Sequence, residues 1–153
     1  MLTVAAACAP AIAASDAVPH IADASMSPVR FAVDRSRAPE IQEGLARGTT
    51  FRYDLSKKAE VFFFFDRGVK GRVVGGHCRR QTRTNRHHRP CPFYVHSGSF
   101  KQAGADGANV KRFSGRIGSL TFKPGHYKVK LVAVDSMGNP SPGKTLRFTV
   151  LRG

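Results

Sequence analysis

The chain has 153 residues, 41% of them hydrophobic, with 25 Lys and Arg against 10 Asp and Glu and a formal net charge of +15. One domain of this length buries a sizeable core, and no apolar run approaches the ~20 residues that a transmembrane helix needs. The 15 Gly, 9 Pro and 11 Phe argue against long helices and for strands joined by turns.

In chain order, residues 2–14, LTVAAACAPAIAA, carry no charge and end in small residues around Ala11, Ala13 and Ala14. The stretch resembles the hydrophobic region of a secretory signal, without the positively charged leader that usually precedes it. Residues 1–25 are therefore expected to be a leader with a disordered linker, cleaved near Ala14, and 26–153 the folded domain. Ala5-Ala6-Ala7-Cys8 is also a weak match to a lipoprotein box. Cleavage leaves two of the 3 cysteines, Cys78 and Cys91, an even number able to pair in an oxidising compartment.

From Pro28 onward the hydrophobic period is mostly two. Val29, Phe31 and Val33 start it, then Phe51, Tyr53 and Leu55, and later Tyr127, Val129, Leu131 and Ala133, and Leu146, Phe148 and Val150. Val61, Phe63 and Phe65 form another such set, but Phe62 and Phe64 make the opposite face apolar too. A second core layer over that face is the expected cover; left open, the strand invites association. Shorter strands are expected at 93–101 and 109–117. Only Glu40 to Arg47, with Ile41 and Leu45 four apart, reads as a helical turn. Together these segments predict an all-β fold, an immunoglobulin-like antiparallel sandwich of about seven strands. In LTFKPGHY, 120–127, Pro124-Gly125 makes a turn and Tyr127 starts a strand. A tyrosine placed so is expected to bond back to upstream backbone and pin a corner between sheets.

Several motifs carry a resemblance: GTTFRYDLSKKAEVFFFF, GRVVGGHC, FSGRIG, LTFKPGHYKVKLVAVDSMGN and TLRFTVL, opened by SPVRF at 27–31. In this order they resemble a recurrent domain of exported actinobacterial proteins, over about residues 26 to 153. That resemblance implies a bacterial immunoglobulin-like or fibronectin-like sandwich, used as an accessory module without catalytic activity. Phe62 and Phe64 depart from it, since the family tends to place polar residues there.

The charge is concentrated. No acid occurs between Asp66 and Asp106, and residues 67–91 hold Arg79, Arg80, Arg83, Arg86 and Arg89 among other cations. This stretch is expected to be one long basic inter-strand loop, with a Cys78–Cys91 disulfide stabilising it by ~3 kcal/mol on the chain-entropy argument. The alternative is zinc held by Cys78, His87, His88 and Cys91, against which stands the missing short Cys-Cys spacing of common zinc modules. The five arginines are the candidate contacts for a polyanion: a wall polymer, lipid head groups or, least expected in an exported chain, nucleic acid. No helix-turn-helix or aromatic RNA-binding signature accompanies them.

Other motifs fail on chemistry. GNPSPGKT, 138–145, fits the written pattern of a phosphate-binding loop, but Pro140 and Pro142 remove two N–H donors and a strand follows instead of a helix. His96-Ser97-Gly98-Ser99 lacks a nucleophile elbow. Asp135 and Asn139 lack the dense oxygen ligands of a calcium loop. No catalytic residue, metal or cofactor is expected. The resulting expectation is a non-enzymatic structural or adhesive module exported to the bacterial cell envelope, meeting an anionic polymer or a protein partner; the alternative is a polyanion-binding module using 67–91.

Overall fold

A computed structural model describes residues 17–35 and 45–153. The apolar leader up to residue 16 lies outside them, as does most of the helical turn expected at 40–47. The described residues form eleven strands and no helix. No helix long and apolar enough to cross a membrane occurs among them.

The strands are β1 (Ile21–Ser27), β2 (Arg30–Ala32), β3 (Thr49–Leu55), β4 (Ala59–Val74), β5 (His77–Arg80), β6 (Pro90–Gly104), β7 (Gly107–Phe113), β8 (Arg116–Ile117), β9 (Leu120–Thr121), β10 (Gly125–Val134) and β11 (Lys144–Leu151). A smaller sheet has the order β1-β3-β7, all antiparallel. The larger has the order β2-β11-β10-β4-β5, with β6 along the other side of β4. Its one parallel pairing joins β2 to β11, and β8 and β9 form a separate two-stranded ribbon.

Two-residue periodicity explains where the core lies. Phe51, Tyr53 and Leu55 of β3 are buried, as are Val61, Phe63 and Phe65 of β4 and Tyr127, Val129 and Leu131 of β10. Their alternate neighbours face out, because successive strand side chains point to opposite faces. Rings of the two sheets meet in the middle: Phe51 lies 5.2 Å from Phe63, and Phe65 lies 4.8 Å from Phe113, between centroids. Each such ring contributes ~1.5–3 kcal/mol on burial. The two sheets thus share one core, as the layers of a β-sandwich do.

The corner tyrosine behaves as its position predicts. Tyr127 donates its hydroxyl proton to the Lys123 carbonyl at 2.8 Å. Its ring stacks between Phe122, at 4.9 Å, and Phe148, at 5.4 Å.

Three expectations need correction. The strands number eleven among the described residues, not seven, because short pairings such as β5, β8 and β9 carry little sequence pattern. The strands expected at 93–101 and 109–117 are present with other bounds: β6 runs longer, Pro90–Gly104, and β7 is Gly107–Phe113, with Arg116–Ile117 in the separate β8. The end of the linker expected up to residue 25 is strand from Ile21: β1 pairs with β3 and buries Ile21 and Met26. A register shift between Ala22 and Ser25, with Asp23 at a φ of 47°, puts Ile21 and Met26 on one face. That bulge breaks the alternation by which a strand is recognised.

Candidate functional site

Residues 67–91 are not a long loop, and the reason is in the glycines. β10 leaves β4 at the Tyr127–Arg67 pair, yet β4 continues to Val74. Gly75 and Gly76, at φ of 58° and 77°, then make a two-residue turn that closes the Val74–His77 pair. Two successive positive φ values are what the tight hairpin turn requires, and glycine adopts them without steric penalty. β5 returns beside β4, and β6 comes back along its other side from Pro90. The basic segment is therefore a three-stranded arm, β5-β4-β6, extending the larger sheet.

The Cys78–Cys91 disulfide joins the two outer strands of the arm, with Cα atoms 6.0 Å apart. It passes over Gly71 of the central strand, which pairs with Arg80 on one side and Cys91 on the other. A Cβ on Gly71 would lie 2.8 Å from Cys78 Sγ and 2.7 Å from both the Cys91 carbonyl oxygen and Phe93 Cβ. Glycine is what lets the bridge close. The disulfide uses both thiols, which removes them from the zinc set weighed with His87 and His88.

The connection from 81 to 89 is held by its own polar groups. The Thr82 N–H donates to Asn85 Oδ1 at 2.7 Å, and Asn85 Nδ2 donates to the Arg80 carbonyl at 3.0 Å. Arg72 reaches inward, donating through Nε to Gln81 Oε1 at 2.9 Å and through Nη1 to the His88 carbonyl at 3.1 Å. Backbone bonds from Val73 N–H to the Arg89 carbonyl and from Gln81 N–H to the Lys70 carbonyl, 2.9 Å each, complete the closure.

Arg79, Arg80, Arg83, Arg86 and Arg89 are all exposed on this arm. None of them has an ion pair among the described residues. The carboxylate at the arm's base, Asp66, is engaged by Lys128 and by His96, each at 3.5 Å. Unpaired guanidiniums, always charged, set up a positive potential along the arm.

The remaining motifs resolve into structure. Asp135 opens the turn before β11: Oδ1 accepts the N–H groups of Met137 and Asn139 at 3.0 and 2.9 Å, and Oδ2 accepts Asn139 Nδ2 and Lys57 Nζ at 3.2 Å each. These donors, the Asn139 N–H first, hold its pKa down at about 2 against the opposing effect of burial. Both oxygens are committed to N–H donors, so the stretch from Asp135 is a capped turn. Lys144 and Thr145 of the phosphate-loop pattern lie in β11.

The outer face of the larger sheet departs from expectation. Phe64 is 37% exposed, so among the described residues no second core layer covers it. Its ring stacks with Phe62 at 6.1 Å between centroids, 8° from parallel. Around the pair stand Lys130, opposite Phe64, and Lys101, opposite Phe62. Sequence reading foresaw the apolar character of this face but not its neighbours, which the strand order alone brings together.

No family model matches this chain, and no curated protein matches its sequence.

Proposed function

We propose that the chain is a non-enzymatic accessory module of the bacterial cell envelope, which binds an anionic envelope polymer through its basic arm. The single observation that carries this reading is the set of five exposed, unpaired arginines on a disulfide-clamped arm. Unclamped, a connection this long would lose ~1–2 kcal/mol of backbone freedom per residue ordered on binding. With that cost met during folding, charge contacts convert more fully into affinity.

Two further observations support the supporting frame as immunoglobulin-like. β1, β3 and β7 lie in one sheet and β11, β10, β4 and β6 in the other, and a corner tyrosine opens β10. On that reading the arm is an elongated hairpin between β4 and β6, with β5 as an inserted strand. The disulfide suits an oxidising compartment, in keeping with export. The resemblance to exported actinobacterial domains points the same way.

Retention on immobilised wall teichoic acid, with heparin as a second polyanion, tests the reading. Replacing Arg79, Arg80, Arg83, Arg86 and Arg89 with Gln in the full chain should weaken binding by at least tenfold without lowering the melting temperature. Unchanged affinity overturns it. Tighter binding to duplex DNA than to either polymer, at matched charge, moves the assignment to nucleic acid.

A further inference from the structure

The outer face of the larger sheet joins exposed aromatic surface to two cations, Lys130 and Arg147, with no carboxylate partner among the described residues. One cross-strand row runs Thr145, Lys130, Phe64 and Ser99. The next row toward the arm contains Arg147, Lys128, Asp66 and His96. Two carboxylates lie on this face, and both are occupied: Glu60 by Lys101 at 2.9 Å, and Asp66 by Lys128 and His96. Lys130 and Arg147 are exposed and have no carboxylate partner among the described residues.

One hollow adjoins Phe62, and a second lies two cross-strand rows nearer the arm than Phe64. The first, of 510 Å³, is lined by Phe62, Ala103 and Val134 together with Lys58, Glu60 and Asp135. The other, of 390 Å³, is bordered by Arg30, Arg147, His126 and Tyr94, with no carboxylate in its lining. Tyr94 stands opposite Gly68, where no side chain separates the strands, and Lys128 Nζ lies 4.3 Å over its ring. From Phe64 to the level of Gly68 is ~13 Å along the strand at about 3.3 Å per residue. An aromatic platform and an anion-attracting hollow thus share one face.

We propose that this face is a second binding site, for the sugar rings of an acidic polysaccharide. A ring's apolar face stacks on Phe64, its hydroxyls meet Ser99 and Thr145, and its phosphate or carboxylate substituents meet Lys130, Arg147 and Arg30. Exposed aromatic patches rimmed by polar groups mark contact surfaces, and the cations beside this one select an anionic ligand. The choice of a glycan rests on the envelope-polymer reading above. Single-stranded nucleic acid offers rings and charge too, and is the rival outcome.

The test titrates the full chain with a heparin oligosaccharide, with inorganic polyphosphate, which has charge and no rings, and with oligo-dT. Phe64→Ser should weaken heparin binding about tenfold and leave polyphosphate binding unchanged. The five-arginine Gln variant should weaken both, so failure of the arm reading and failure of the platform are separable. The platform is overturned if Phe64→Ser leaves heparin affinity intact or weakens polyphosphate equally. Oligo-dT binding more tightly than heparin, with the larger loss in Phe64→Ser, also overturns the glycan assignment. Should that variant fail to fold, the Phe64 ring protons of the wild-type chain decide: heparin must perturb them and polyphosphate must not.

Discussion

Gly71→Ala is the sharpest perturbation of the arm. Its new methyl would sit 2.7 Å from the Cys91 carbonyl oxygen and from Phe93 Cβ, and 2.8 Å from Cys78 Sγ. The first is backbone and the second is fixed to it, so neither rotates away; β6 has to move off β4, or the bridge has to open. Displacing packed neighbours costs about 1–3 kcal/mol. Opening the bridge removes a cross-link between residues 13 apart in sequence, a loss of ~3 kcal/mol. A loss of ~2 kcal/mol corresponds to about 30-fold at 1.4 kcal/mol per decade. Amide exchange reads it locally, since the Val73 and Gln81 N–H groups close the arm onto Arg89 and Lys70. Both amides should exchange about 30-fold faster in Gly71→Ala, while β10 amides keep their protection. Gly76→Ala has open space around its Cβ but a φ of 77°, and should cost ~1 kcal/mol by strain alone. Exchange within threefold of wild type at Val73 and Gln81, or an equal loss in β10, refutes this account of Gly71.

Two further predictions concern the frame. Tyr127→Phe removes the 2.8 Å bond to the Lys123 carbonyl and should cost ~1 kcal/mol, lowering the melting temperature by roughly 4 °C. Tyr53→Phe, at a buried hydroxyl with no partner among the described residues, should show no such loss. Asp135 titrates at about 2 in the folded chain against an ordinary 3.8. Its stabilisation is therefore complete above pH ~4 and is lost as the pH falls toward 2. Urea unfolding from pH 6 to 2 should show a shallower acid decline in Asp135→Asn than in wild type.

How much of this was legible depends on how regularly the residues repeat. The inward sets Phe51-Tyr53-Leu55 and Tyr127-Val129-Leu131 alternate cleanly, and the all-β core follows from them. Tyr127 after Pro124-Gly125 announced the corner. β1 stayed hidden because its bulge puts Ile21 and Met26 on one face at an odd spacing. The arm stayed hidden for another reason. Its dense cations look like a solvated loop, although Gly75-Gly76 between RVV and HCRR is a hairpin signal that would have identified it. Gly71 was beyond reach, since its role appears only when three strands are placed side by side. The disulfide was legible from cysteine count. The company Phe64 keeps required the strand order that sets Lys130 and Ser99 on either side of it.

The salt dependence of binding tests the central claim most directly. Contacts between arginines and a polymer's phosphates release counterions, so log affinity falls linearly with log salt, by ~0.7 per contact for a flexible chain. With wall teichoic acid titrated against the full chain at several salt concentrations, changing Arg79, Arg80, Arg83, Arg86 and Arg89 to Gln should make that slope shallower by roughly 3 to 4. Parallel lines for the two proteins would mean that the arm touches no polyanion.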